Sequence, residues 1–259
     1  MIKPQKALPI LLLLSLAWLQ RGSSQKLEEK EFEGFEDDLL VLTKMSEKVA
    51  LERLSIKTFN CQEKISILET DLKTGQQQRQ SSSQMFELKR LPDQRVNEKL
   101  IFSGSRTPIL SIDGLPQTPL VDEPFTGNWI EAFSFENRLA TDFRKLPSEQ
   151  LEGSECVVFS FETVPILSRD RLMLLSRQVD FRHKGRVWID SKKLQLIRIV
   201  GRQTKLPKGC RVYEYSIDFQ SQLLFGRTIV LPIRIISKIE LREKSFEIRQ
   251  EYSDFRMAS

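Results

Sequence analysis

GRVWIDSKKLQLIRIV, residues Gly185 to Val200, decides the fold. Arg186 to Ile189 and Leu194 to Val200 are β-branched or aromatic at most positions. Asp190, Ser191, Lys192 and Lys193 between them supply turn chemistry, and no helix cap follows, so the stretch predicts a β-hairpin. Trp188, Leu194, Leu196 and Val200 share one parity and Val187, Ile189, Ile197 and Ile199 the other, which puts apolar groups on both faces. One face must then meet a core and the other a helix, a lid or a ligand.

Working outward, strand signals recur at Thr58–Thr70, Met85–Leu91, Lys99–Phe102, Ile109–Ile112, Thr141–Leu146, Glu155–Thr163, Leu172–Phe181, Val212–Phe219, Thr228–Leu241 and Ser245–Phe255. Pro232 is expected to bend its strand or place it at an edge. Asp71–Ser83 reads as a polar loop, and Ser103–Gly127, with four prolines, as a surface insertion. A single amphipathic helix is expected from Leu39 to about Lys57, where Leu39, Leu42, Met45, Val49 and Leu54 recur at three- and four-residue steps. The order of elements predicts one α+β domain over 39–259: a curved antiparallel sheet of about nine strands with the helix against its concave face.

Residues 1–24 have the layout of a signal peptide, with Lys3 and Lys6 before an apolar run from Ala7 to Leu19 and small residues after it. An uncleaved anchor is the alternative, although the run is short for a span of about 20 residues. The expected location is therefore periplasmic or extracellular, with peripheral membrane association or none. An acidic segment follows at 25–38. The formal charge of +5 falls to +2 once Lys3, Lys6 and Arg21 are set aside, which removes the main argument for nucleic-acid binding. Residues 169–259 hold twenty Lys or Arg against ten acids, a solvated sheet exterior or a face for anionic headgroups.

The chain has three cysteines and one histidine. Zinc-ligand spacings and strained-nucleophile motifs are absent, so no metal, no cofactor and no catalytic residue is expected. Cys61 and Cys156 lie in predicted strands and Cys210 in a loop, which favours a Cys61–Cys156 bridge, with three reduced thiols as the alternative. Alternation places Val157, Phe159 and Phe161 on one face. Together with Trp188, Leu194 and Leu196 they form a candidate ligand floor, which Trp129 and Phe133 could cover. The alternative is that these side chains pack against Leu42, Met45 and Val49.

The runs GRVWIDSKKLQLIRI, KLPKGCRVYEYSIDF, IVLPIRI and EYSDFR, between Glu155 and Arg256, resemble a family of uncharacterised exported bacterial proteins with a V-W-I-D hairpin. FNCQEKI resembles that family's early Cys-containing strand. Ser191 stands where the family often has Pro, and Gln220 where a Gly is expected. At greater distance the hairpin resembles the LolA-like superfamily of periplasmic lipoprotein carriers and outer-membrane lipoprotein-sorting proteins. That resemblance implies a half-barrel with an apolar concave face. The expected function is a non-enzymatic envelope carrier or binder of a lipid or lipidated partner. An envelope protein-interaction or sensor module comes second, and a hydrolase of unknown class third.

Overall fold

The structure, a computed structural model, describes residues 40–49, 51, 58–90, 96–102, 110–112, 115–117, 140–164, 171–174, 177–180 and 182–257. The chain divides into two compact units, Met1–Leu42 and Thr43–Ser259, and every strand belongs to the second. The expected leader and acidic segment lie outside the described residues, as do Trp129 and Phe133.

Residues 40–49 are helical. Met45 and Ser46 are buried while Lys44 and Glu47 are exposed, the one-sided stripe that the spacing predicts. Lys48 Nζ donates to the Lys193 carbonyl at 2.7 Å, which ties the helix to the turn of the 185–200 hairpin.

Among the described residues fourteen strands follow: β1 (Phe59–Asp71), β2 (Gln77–Arg90), β3 (Val96–Phe102), β4 (Leu110–Ile112), β5 (Leu115–Gln117), β6 (Thr141–Leu151), β7 (Ser154–Thr163), β8 (Arg171–Leu174), β9 (Arg177–Asp180), β10 (His183–Asp190), β11 (Leu196–Gln203), β12 (Cys210–Leu224), β13 (Arg227–Leu241) and β14 (Lys244–Met257). Ten of them form one open, curved antiparallel sheet in the order β3-β2-β1-β14-β13-β12-β11-β10-β7-β6, and β4–β5 and β8–β9 are separate hairpins. The predicted α+β architecture is the one that forms. The last strand pairs with the first, so the two ends of the sheet-forming chain meet as the third and fourth of its ten strands.

Two local expectations change. Gln77–Ser83 is strand rather than loop, because β2 turns back tightly and pairs with β1 from Thr70↔Gln77 onward. The turn is closed by Asp71 Oδ1, which accepts from the amides of Lys73 and Thr74, and by Gly75 at a φ of 72°. Leu172–Phe181 is broken into the β8–β9 hairpin instead of running into β10. Pro232 lies beside the β12 bulge at Asp218/Phe219, outside the Arg234–Glu240 stretch that pairs with β14. A missing amide costs no ladder bond on that open side.

Directly paired residues share a face, so the register sorts the sheet. The exposed face is charged in order: Lys64, Glu251, Arg234, Asp218, Arg198 and Trp188 are successive cross-strand partners from β1 to β10. Asp218 is buried between two guanidinium groups, with Arg198 Nε at 2.5 Å and Arg234 Nε at 2.6 Å. Asp218→Asn leaves those cations facing each other. The expected loss is roughly 2–3 kcal/mol, below the value for a fully buried pair because both arginines reach water. An unchanged urea midpoint would contradict it.

Candidate functional site

The buried face collects the apolar parities. Val157, Phe159 and Phe161 of β7 lie against Ile189, Val187 and Gly185 of β10, as alternation requires. Leu196 joins them through its pairing with Ile189. Trp188 does not, because it pairs with Val158 and lies on the opposite face. A β-bulge at Trp188/Ile189 puts Leu196 out of step with Trp188, two residues that parity alone places together. Leu194 belongs to the turn, at a φ of 51°, where its amide donates to the Asp190 carbonyl. The candidate floor is therefore divided: Val157, Phe159, Phe161 and Leu196 on the buried face, Trp188 on the exposed one.

The expected Cys61–Cys156 bridge does not form, and the three cysteines are buried thiols. Cys61 is on β1 and Cys156 on β7, with five strands of the sheet between them. A disulfide needs Cα atoms within about 7 Å. Burial pushes the Cys156 and Cys210 thiols up, so they act as small apolar groups.

A band of polar side chains crosses the otherwise apolar buried face. At its β1 end, the Glu63 carboxylate accepts from Gln84 Nε2 at 2.6 Å, Tyr252 OH at 2.8 Å and Gln250 Nε2 at 3.1 Å. Three donors thus converge on one carboxyl group. The band continues through Ser237 of β13 to Tyr215 of β12, its direct partner. It ends with Gln203, His183 and Thr163 on β11, β10 and β7. Ser237–Tyr215 and Gln203–His183 are direct cross-strand pairs, and the steps between them shift by two residues, so the band runs diagonally across the strands.

His183 is 2 % exposed, packed edge-on by Phe161 at 5.0 Å, and its Nδ1 lies 2.6 Å from Tyr215 OH. Burial lowers its pKa to about 3, which keeps the ring neutral and makes it a poor proton acceptor. Burial likewise raises the Tyr215 hydroxyl well above its usual range. Gly201 makes the contact possible: a Cβ there would sit 2.5 Å from Tyr215 Cζ. Gly201→Ala must push the ring off β11, at an expected cost of about 1–3 kcal/mol. A thermal midpoint equal to that of the parent protein would refute this account of the glycine.

On the exposed face lies a trough of about 680 Å3, with Gly185 and Gly201 at its floor and Trp188, Val200, Arg186 and Arg202 on its sides. Its charges are largely matched locally: Arg144 lies 3.3 Å from Asp142, and Arg186 3.8 Å from Glu149, which also accepts from Trp188 Nε1 at 2.8 Å.

Comparison with known proteins adds the following. No protein-family model matches the chain, and no curated relative matches it. Among solved structures, the chain is similar to a DUF1329 family protein from Desulfovibrio piger, at 12% identity and a TM-score of 0.45, covering 83% of this chain and 91% of that one. It is similar to a LolA superfamily protein from Nitrosomonas europaea, at 14% identity and a TM-score of 0.33, covering 83% and 93%. A putative outer-membrane lipoprotein-sorting protein domain from Vibrio parahaemolyticus is similar at 11% identity and a TM-score of 0.39, covering 84% and 92%.

Glu63, Gln84, Gln250 and Tyr252 were not among the residues that the sequence brings forward. A signal for two of them is there all the same. Glu63 sits on the parity of Phe59, Cys61, Ile65 and Ile67, and Gln250 on that of Phe246, Ile248 and Tyr252. A polar residue on an apolar parity must find partners on the buried face. Which partners it finds depends on register, and that is set by strands far away in the chain.

Proposed function

We propose that this protein is an exported, non-enzymatic carrier or binder of a lipid or a lipidated partner, and that the apolar chain is held on the buried face of the sheet. The observation that carries the reading is the breadth of that face. Ile235, Ile217, Ile199, Val187 and Phe159 are successive partners across five strands, an unbroken apolar row. Ten strands at about 4.8 Å spacing make a face roughly 45 Å across. Such a surface suits a ligand held by burial, at ~25 cal/mol per Å2, with few polar contacts to orient it.

The face is closed in this structure, since Phe159, Phe161 and Leu196 are all buried. Uptake must therefore displace the groups that pack on them, and the release of a bound chain is expected to be slow. The neutral, buried His183 supports the non-enzymatic part of the reading, because it leaves the chain's one imidazole unsuited to general base catalysis. The signal-peptide layout of residues 1–24 supports an envelope location.

Native mass spectrometry of the exported protein tests the proposal. A bound hydrophobic small molecule, released by organic solvent, is the expected result. A protein of bare polypeptide mass that also fails to bind added dodecanol would sink it. A second reading, an envelope interaction module, rests on the exposed-face trough, where Val200 is 38 % exposed beside Trp188. It expects Trp188→Ala to abolish cross-linking to a protein partner while leaving lipid uptake unchanged.

A further inference from the structure

The polar band on the buried face contains one carboxylate and, among the described residues, no cation. Glu63 is 3 % exposed, and its three donors are all neutral groups. Two of them, Tyr252 OH and Gln250 Nε2, converge on Oε1, whereas Oε2 receives Gln84 alone. A carboxylate offers about four lone-pair positions, so one position on Oε2 is open. A buried negative charge held only by neutral donors is also short of compensation, and an opposite charge brought to it would be strongly favoured.

A second observation is independent of the acid. Ser82 Oγ is buried without a hydrogen-bond partner, with Ser82 only 8 % exposed. Ser82 pairs directly with Ile65, and Gln84, two residues along β2, pairs with Glu63. Ser82 therefore stands diagonally across from Glu63 on the same face, on the side of Oε2's donor Gln84. Further along the band Ser237 Oγ, in a residue 1 % exposed, has no partner either. Buried hydroxyls are rarely left unpaired, and here the two lie either side of Gln250 and Ile65.

We propose that Glu63 is a head-group anchor: its Oε2, with Ser82 Oγ beside it, takes the protonated primary amine of a lipid whose chain lies along the apolar row that starts next to Gln250. The inference rests on the carrier reading and narrows it to amine-bearing amphiphiles. The row lies where such a chain would need it. Gln250, which donates to Glu63, pairs with Ile235, and from there the Ile217, Ile199, Val187 and Phe159 partners continue across the sheet. A quaternary ammonium carries the same charge but no N–H, so it cannot fill the open position on Oε2.

Calorimetric titration of the full exported protein at pH 7 with dodecylammonium, dodecyltrimethylammonium and dodecanol, each below its micelle-forming concentration, tests this. Dodecylammonium is expected to bind at least tenfold more tightly than either of the others, and Glu63→Gln is expected to bring the three to within about twofold. Equal affinities in the parent protein would overturn the anchor and leave the carrier reading standing. A preference that survives in Glu63→Gln would overturn it as well. Failure of all three probes to bind would remove the carrier reading and the anchor together. Should Glu63→Gln not fold, Ser82→Ala supplies the decision, since it deletes a hydroxyl that has no partner to lose. A several-fold drop in the amine preference is then expected, and an unchanged preference overturns the proposal.

Discussion

Acidification from pH 7 towards pH 4.5 is expected to weaken the fold steeply, and most of the slope is expected to come from one residue. His183 is buried and neutral, with its pKa lowered from 6.5 to about 3 by burial. In the unfolded chain the same imidazole takes up a proton near pH 6.5. Between those values the unfolded state binds one proton more than the folded state, so stability is complete above pH 6.5 and falls as the pH falls. Each unit below 6.5 shifts the folding equilibrium about tenfold towards the unfolded chain. Among the described residues, the ring meets Phe161 of β7 and Tyr215 of β12, and Thr163 Oγ1 is bonded to the His183 backbone. Urea unfolding at pH 7, 5.5 and 4.5 measures the slope in the parent protein and in His183→Phe. The variant loses the bond to Tyr215 OH and starts less stable, but its stability should be nearly flat over this window. An equal slope in both proteins would show that the imidazole is not the acid-sensitive group.

Phe161→Asp is expected to leave no folded protein at all. Phe161 is 2 % exposed, its ring 5.0 Å from that of His183 and 6.4 Å from that of Phe143. Across the ladder it faces Gly185, which has no side chain with which to fill a gap. A carboxylate there would be desolvated beside the His183 ring that burial keeps neutral, a cost larger than the margin of about 5–15 kcal/mol within which domains are stable once packing loss is added. Phe161→Ala is the milder change and is expected to cost about 4–5 kcal/mol, the upper part of the range for Phe truncation, because neither Gly185 nor the sheet backbone can collapse into the cavity. Under the carrier reading this variant should fold in the cold and lose copurified lipid. A folded Phe161→Ala protein with normal lipid content would take Phe161 out of the ligand surface. Soluble, cooperatively unfolding Phe161→Asp would mean that this part of the face is open to water.

Much of this architecture can be read from short stretches. The hairpin at Gly185–Val200 is legible because its chemistry is local. Asp190 Oδ1 accepts from the amides of Lys192 and Lys193, at 2.9 and 2.7 Å, and the flanking residues are strand formers. Burial pushes the Asp190 carboxyl up, but the hydrogen bonds from Lys193, Ser154 and Lys192 outweigh it and hold the pKa below its ordinary value. The helix stripe at Met45 and the shared face of Val157, Phe159 and Phe161 are legible for the same reason, since the periods of 3.6 and 2 are properties of a single element. The β2 strand is the counter-example. Gln77–Ser83 is polar throughout and carries no strand signal of its own; it is extended because β1 lies beside it and pairs with it residue by residue.

Local patterning is enough to say which residues form strands in most of the chain, that those strands are antiparallel, and which side chains within one strand share a face. Which faces of different strands coincide is set by long-range pairing. The bulge at Trp188/Ile189 sends Trp188 to the exposed ladder with Arg198 and Asp218 while Leu196 stays buried beside Ile189 and Val157. The pairing of β1 with both β2 and β14 brings Glu63, Gln84 and Tyr252 together from positions 21 and 189 residues apart along the chain. The physical reason is the two-residue period of a strand. It makes the alternation within an element insensitive to everything outside it, but one extra residue in a partner strand reverses the relation between elements. That residue is placed by hydrogen bonding between distant segments, which no local pattern encodes.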